Sequence, residues 1–526
     1  MQRYTISPFG HVKRAELIKR WVSHYNHLSE SELHEREIHF EQRINELLAQ
    51  TAIPSAPMTL TLFLDSMDSN TEMNESIGAF GYHYQRLILQ ALEQGKARCI
   101  QSGQQTATDD IALELLGRLA YKQYASDSDL TMQDAEFLAR VMKEELAISF
   151  KTRDALGHLI ASGLLRASGN LLSFPFKYIY QFSLANLLQL WLDGDLHKEE
   201  VRRIIDDLIS RMHESECASI LMFFTFLARD SATIKAIISQ ANETFPDVPP
   251  CDFGDDLDSL CTKPIDRNIS DDTNIRQNRS EKNKALDAQG RKALDDENAA
   301  MLASVHASSR EAIHEIERAL QCIVLLGQIL RSYPTRLSGE EKTAVANAAY
   351  SLGFRTLTRF TDAIKSAESS VREYFRRIAS GFVDPQDALE VQAELERQFS
   401  RYVQLGSIAI VRRIGRAVGS VHLRPVYDLV EVDGCERAVR LVNKSINLEL
   451  LNNLEPKNTI GMFEELVKDD NRVAALVLQW LVFDYLLLHP MQHNVRQSLL
   501  DKLNLPKHPK MLASGLRQQN SLPPAK

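Results

Sequence analysis

The chain of 526 residues lacks the short motifs by which most nucleotide-, metal- or acyl-handling enzymes announce themselves. No Gly-x-x-x-x-Gly-Lys-Ser/Thr occurs, and Gly339-Glu340-Glu341-Lys342-Thr343 is missing the earlier glycine and the loop length that wrap phosphates in backbone N–H groups. There is no Gly-x-Ser-x-Gly elbow, and no cysteine stands in a nucleophile's sequence context. The six cysteines, Cys99, Cys217, Cys251, Cys261, Cys322 and Cys435, form no C-x-x-C pair and no short Cys/His cluster, which argues against structural zinc and a disulfide framework. Reduced thiols in a cytoplasm are expected. The N-terminus has neither the apolar core nor the small-residue cleavage site of a signal peptide, so secretion is not expected. Long apolar runs are also scarce. The strongest, Val473 to Leu488, is interrupted by Gln479 and Asp484 and falls short of the roughly 20 residues a bilayer span needs, so it reads as a buried helix. Lys+Arg 61 against Asp+Glu 70 gives a net charge of -9, so no global positive field draws the chain to nucleic acid or anionic lipid.

What the sequence does hold is helical periodicity, and the fold class expected is mainly α: a multi-domain helical array with an embedded winged-helix-like domain. Ser29 and Glu32 form a capping box ahead of Leu33, Phe40, Ile44, Leu47 and Leu48 at helical spacing. Val201, Ile204, Ile205, Leu208, Ile209 and Met212 repeat the pattern, and Ile220 to Leu227 is apolar enough to be buried on all sides. The period recurs over Ala299 to Tyr333, Leu389 to Ile414 and Arg472 to Leu488. The partition expected is a helical N-terminal segment (1–105), a winged-helix-like domain (106–176), a helical domain (177–245), a polar linker or long loop (246–298), a C-terminal helical array (299–505) and a flexible tail (506–526). The linker rests on Pro246, Pro249 and Pro250, followed by mixed charges with few large apolar residues.

The winged-helix outline comes from three helices, Ile111 to Tyr124, Thr131 to Glu145 and Thr152 to Ser162, followed by Gly163 as a left-handed stop and Gly169-Asn170 as a hairpin turn. Lys151, Arg153, His158 and Arg166 surround the third helix, but Asp154, Glu144 and Glu145 weaken a DNA contact there. Behind it, Phe174 to Phe182 is unusually aromatic. Interleaved aromatics with Lys177 suit base stacking, yet Leu184, Leu187, Leu188 and Leu190 continue as a helix that needs a buried face, and packing is the preferred reading. Phe176, Tyr178, Tyr180 and Phe182 are therefore the candidate domain-interface residues. His489 and His493 stand four apart, but Pro490 follows the first and no Glu is placed as a base, so no metal site is expected.

This aromatic segment directly behind a winged helix resembles the regulatory arm of bacterial STAND NTPases, the NACHT-like signalling ATPases of which many act in antiphage defence. Ser7-Pro8-Phe9-Gly10, Arg14 to Trp21, Ile53 to Pro57 and Gly81-Tyr82-His83-Tyr84-Gln85 resemble the stretches after the nucleotide-binding core of that family. Leu326 to Pro334, Leu337 to Lys342 and Leu352 to Leu357 look like helices of its C-terminal half. The resemblance implies a cytoplasmic, non-catalytic arm that meets ATP or ADP only through a nucleotide-binding core or effector domain on another chain or an upstream segment, with a trigger ligand and possible oligomerisation. It also offers His213 as a nucleotide sensor, because Met212-His213-Glu214 is similar to the family's Met-His-Asp triplet; a surface His beside Glu214 and Glu216 is the plainer reading. No cofactor or metal is expected on the chain itself, and no membrane or nucleic-acid partner. The alternatives are a winged-helix transcription regulator with a helical ligand-sensing domain, and an enzyme whose site has no motif.

Overall fold

The computed structural model describes residues 9–505 apart from 26, 50–54, 56, 58–59, 62, 65–79, 127–128, 195–196, 229, 261–274, 296–306, 333–336, 380–384 and 452. The chain is mainly helical, as its periodicity predicts, and clusters into two compact units. The tail 506–526 lies outside the described residues.

One unit comprises Arg43–Glu243 and Gln321–Ala348. Within it, the helix Asp109–Ser126 is followed by strand β1 (Leu130–Thr131), helices Met132–Glu145 and Thr152–Ala161, and the hairpin of β2 (Arg166–Ser168) and β3 (Leu171–Ser173). The antiparallel sheet runs β1-β3-β2, with Leu172 opposite both Leu130 and Ala167. Local chemistry fixes each junction. Thr131 and Asp134 close a capping box at the start of the second helix. Gly163, at φ +73°, ends the third, and Gly169, at φ +62°, turns the hairpin. Leu115, Leu119, Ala139, Leu156, Leu159 and Leu172 are buried together in the core. Helix Lys177–Asp193 follows, apolar nearly all round, and crosses Asp109–Ser126 so closely that a β-carbon on Gly117 would meet that of Leu187 at 2.9 Å.

The other unit comprises Met1–Gln42, Thr244–Leu320 and Ala349–Lys526. Its core gathers Tyr350 and Phe354 with apolar faces of Pro385–Val418, Glu436–Glu449 and Arg472–Leu488. The last of these helices is the Val473 to Leu488 run, and most of its side chains are buried. No helix among the described residues is long and apolar enough to cross a membrane.

Within 246–298, residues 246–254 form no helix or strand, as expected of a linker or long loop, but parts of the stretch are packed. Phe253 and Leu257 are buried, and helix Ile275–Asp295 occupies much of the remainder. Asp252 Oδ1 accepts from the backbone N–H of Ala438 (2.9 Å) while its other oxygen holds Arg437 (2.8 Å), and Asp258 accepts from the N–H of Val473 (2.7 Å). Two carboxylates thus cap the N-termini of two helices. On Ile275–Asp295, Asp287 accepts from the N–H groups of His11 and Val12, at 2.5 and 3.1 Å, and caps helix His11–Val22 in the same way. The polar composition that reads as solvated supplies long-range caps.

Candidate functional site

The aromatic segment begins at Phe176, the residue preceding helix Lys177–Asp193. Helical spacing sends Tyr178 and Phe182 to one side, where they meet Tyr84 of helix Phe80–Gln101 and Phe223 of helix Ser215–Ala228. Tyr178 lies 5.4 Å from Tyr84, Tyr84 stands edge-on to Phe223 at 4.7 Å, and Phe182 stands edge-on to Phe223 at 5.5 Å. Phe176 stacks on Tyr178 at the open end, 47% exposed, whereas Phe182 is 2% exposed. Tyr180 points elsewhere, edge-on to Phe174 at 5.7 Å. Burial and a hydrogen bond to Glu216 push its hydroxyl well above the ordinary tyrosine range. All these contacts lie within one compact unit. The buried rings offer no face on which a base could stack; Phe176 alone retains a broad exposed surface.

The third helix, Thr152–Ala161, is held along one flank by Phe80–Gln101. His158 Nε2 bonds the carbonyl of Leu92 at 3.0 Å, Arg98 donates to the carbonyl of Ala161 at 2.8 Å, and Gly95 lies against Ser162. His158 is fully buried, so of the four cations read around this helix it is unavailable to a phosphate; Lys151, Arg153 and Arg166 are exposed. Sequence alone could not separate His158 from the others, because its partner lies 66 residues away.

His213 sits half-buried in the turn between Lys198–Ser210 and Ser215–Ala228. Around this turn Tyr124 donates to Asp207 (2.7 Å), Arg211 pairs with Asp207 and lies 3.6 Å from Glu214, and Cys217 contacts Glu214. Burial pushes the Cys217 thiol up to about 11, Arg211 opposing the shift and Glu214 adding to it, so this sulfur is protonated and unreactive at neutral pH. The network clasps helix ends.

The remaining candidates separate. His489 ends helix Arg472–Leu488 and stacks on Tyr485, whereas His493 begins the next helix, so the pair shares no helix face. Ser338 and Glu341 close a capping box at the start of Gly339–Ala379, which accounts for that glycine-containing stretch without a phosphate. Among the described residues no group of three His, Cys, Asp or Glu side chains is arranged for a metal ion. A mixed-charge cleft, invisible to sequence reasoning because three distant segments form it, lies between helices His11–Val22, Glu30–Ala49 and Ile275–Asp295.

No protein-family model, curated protein or solved structure matches the chain.

Proposed function

We propose that this chain is the non-catalytic regulatory and sensor arm of a STAND-type signalling ATPase in bacterial antiphage defence, acting in the cytoplasm. In this reading the three-helix unit with its hairpin is a winged helix used for protein packing. The arm holds a nucleotide-binding core, on another chain or another segment, in a closed state until a trigger ligand favours the open one. The ligand must bind the two states with different affinity, since equal binding shifts nothing.

The observation that carries the reading is the flank of the third helix. A helix that enters a DNA groove needs a free face with cations along it. Here Gly157, His158, Ala161 and Ser162 are taken up by Phe80–Gln101, and the exposed remainder of the helix is Arg153 and Ile160. The aromatic helix behind it is likewise spent on packing.

Two titrations of the purified chain test this. Fluorescence anisotropy with a labelled duplex at low and high salt is expected to show no salt-dependent high-affinity complex, and calorimetry with ATP-Mg no micromolar binding. Tight duplex binding that weakens steeply with salt favours the transcription-regulator reading, and ATP turnover by the chain alone contradicts the non-catalytic one.

A further inference from the structure

We propose that the cleft between helices His11–Val22, Glu30–Ala49 and Ile275–Asp295 binds a small zwitterion of amino-acid size, its ammonium received by Glu37 and Glu16 and its carboxylate by Lys19 and Arg279. The cleft has a volume of about 240 Å³, below the roughly 300–1,000 Å³ of pockets for drug-sized ligands, which sets the scale of the occupant. Every residue that lines it belongs to the same compact unit.

The charges decide the class. At the cleft, Glu41 is held by Arg279 and by Asn283 Nδ2 at 2.6 Å, so this carboxylate is already neutralised. Arg279 has five N–H donors in its fork, and Glu41 takes only part of them. Glu16 and Lys19, three residues apart on His11–Val22, have no ion-pair partner among the described residues. Carboxylate and ammonium therefore line one small concavity uncommitted to each other, beside the apolar side chains of Val12 and Ile18. Glu16 and Lys19 are exposed and keep their water in the empty cleft, so a ligand of either single charge gains one set of pairings and a zwitterion gains both.

His34 also lines the cleft, beside Glu37. Both its ring nitrogens are shut off from water and neither has a hydrogen-bond partner among the described residues; Glu37 Oε2 stands 3.5 Å from Nδ1. Other side chains of this structure also hold such atoms, but those of His34 lie at the cleft, where a ligand that draws on Glu37 meets the imidazole as well. This site does not depend on the ATPase reading.

The test is isothermal titration of the full chain with the standard L-amino acids at millimolar concentration, and with the corresponding amine and carboxylic acid of any that binds. Binding by at least one amino acid is expected, with each single-charge analogue about tenfold weaker or more, as loss of a hydrogen bond to a charged group requires. Glu37→Gln and Lys19→Gln are each expected to weaken it by about tenfold while leaving the unliganded melting temperature in place; Lys19 is exposed, so that variant probes the site without disturbing the fold. No binding by any amino acid, an analogue that binds as well as its parent, or undiminished affinity in Lys19→Gln overturns the proposal.

Discussion

A β-carbon placed on Gly95 would lie 2.7 Å from the backbone nitrogen of Ser162, so helix Phe80–Gln101 touches the end of the third helix backbone to backbone. Nothing larger than hydrogen fits. Gly95→Ala gains about 1 kcal/mol of helix propensity, but the overpacking cost of about 1–3 kcal/mol falls on a contact that cannot yield, and net destabilisation is expected. Gly157, on the same third helix, has open space where its β-carbon would be. Gly157→Ala is therefore expected to stabilise by about 0.5–1 kcal/mol. Urea denaturation of the two variants checks the opposite signs.

Phe182 and Phe176 test the aromatic cluster. Phe182→Ala is expected to cost about 3–5 kcal/mol because the ring is buried against Phe223, while Phe176→Ala, half exposed, stays near or below about 1 kcal/mol. Thermal melts distinguish this from a base-stacking role, in which both substitutions spare stability and remove single-strand affinity.

Asp252 and Asp258 act as helix caps at long range. Removing either carboxylate is expected to cost about 1 kcal/mol, seen as a lowered urea midpoint with unchanged slope. Asn at 258 is expected to recover most of the loss, since its side-chain oxygen can accept the same N–H bond, whereas Asn at 252 keeps the N–H bond but loses the oxygen that holds Arg437. An alanine variant as stable as the parent would return this stretch to the status of a solvated linker.

His489 gives the chain an acid-sensitive point. Burial first, then the positive charges of Arg279 and Lys282, lower its pKa from 6.5 to about 4. Between those values the unfolded chain binds a proton that the folded chain does not, so stability rises with pH through that window and is complete above 6.5. The contribution is on the order of 3 kcal/mol, and His489→Gln is expected to flatten the pH dependence of the melting temperature between pH 4 and 6.5.

Periodic elements were legible in the sequence because each carries its own signal: the apolar stripe of Arg472–Leu488, the Ser29–Glu32 capping box, the glycines at 163 and 169. What was not legible depends on partners far along the chain. Asp258 reads as part of the polar linker or loop until Val473, 215 positions later, supplies its N–H. His158 reads as a surface cation until the Leu92 carbonyl is placed beside it. The mixed-charge cleft draws on residues 12–19, 34–41 and 279–283, a juxtaposition no local window contains.

The central claim, that this chain restrains an ATPase core, is tested most directly by nucleotide turnover. Where the sequence in frame with the chain or beside it encodes a polypeptide with a Gly-x-x-x-x-Gly-Lys-Ser/Thr loop, that polypeptide is purified and its ATP hydrolysis measured with and without the chain. The account predicts a saturable fall in turnover as the chain is added, lost when Gly95→Ala or Phe182→Ala disturbs the packed unit. Turnover that is unchanged at saturating chain contradicts it.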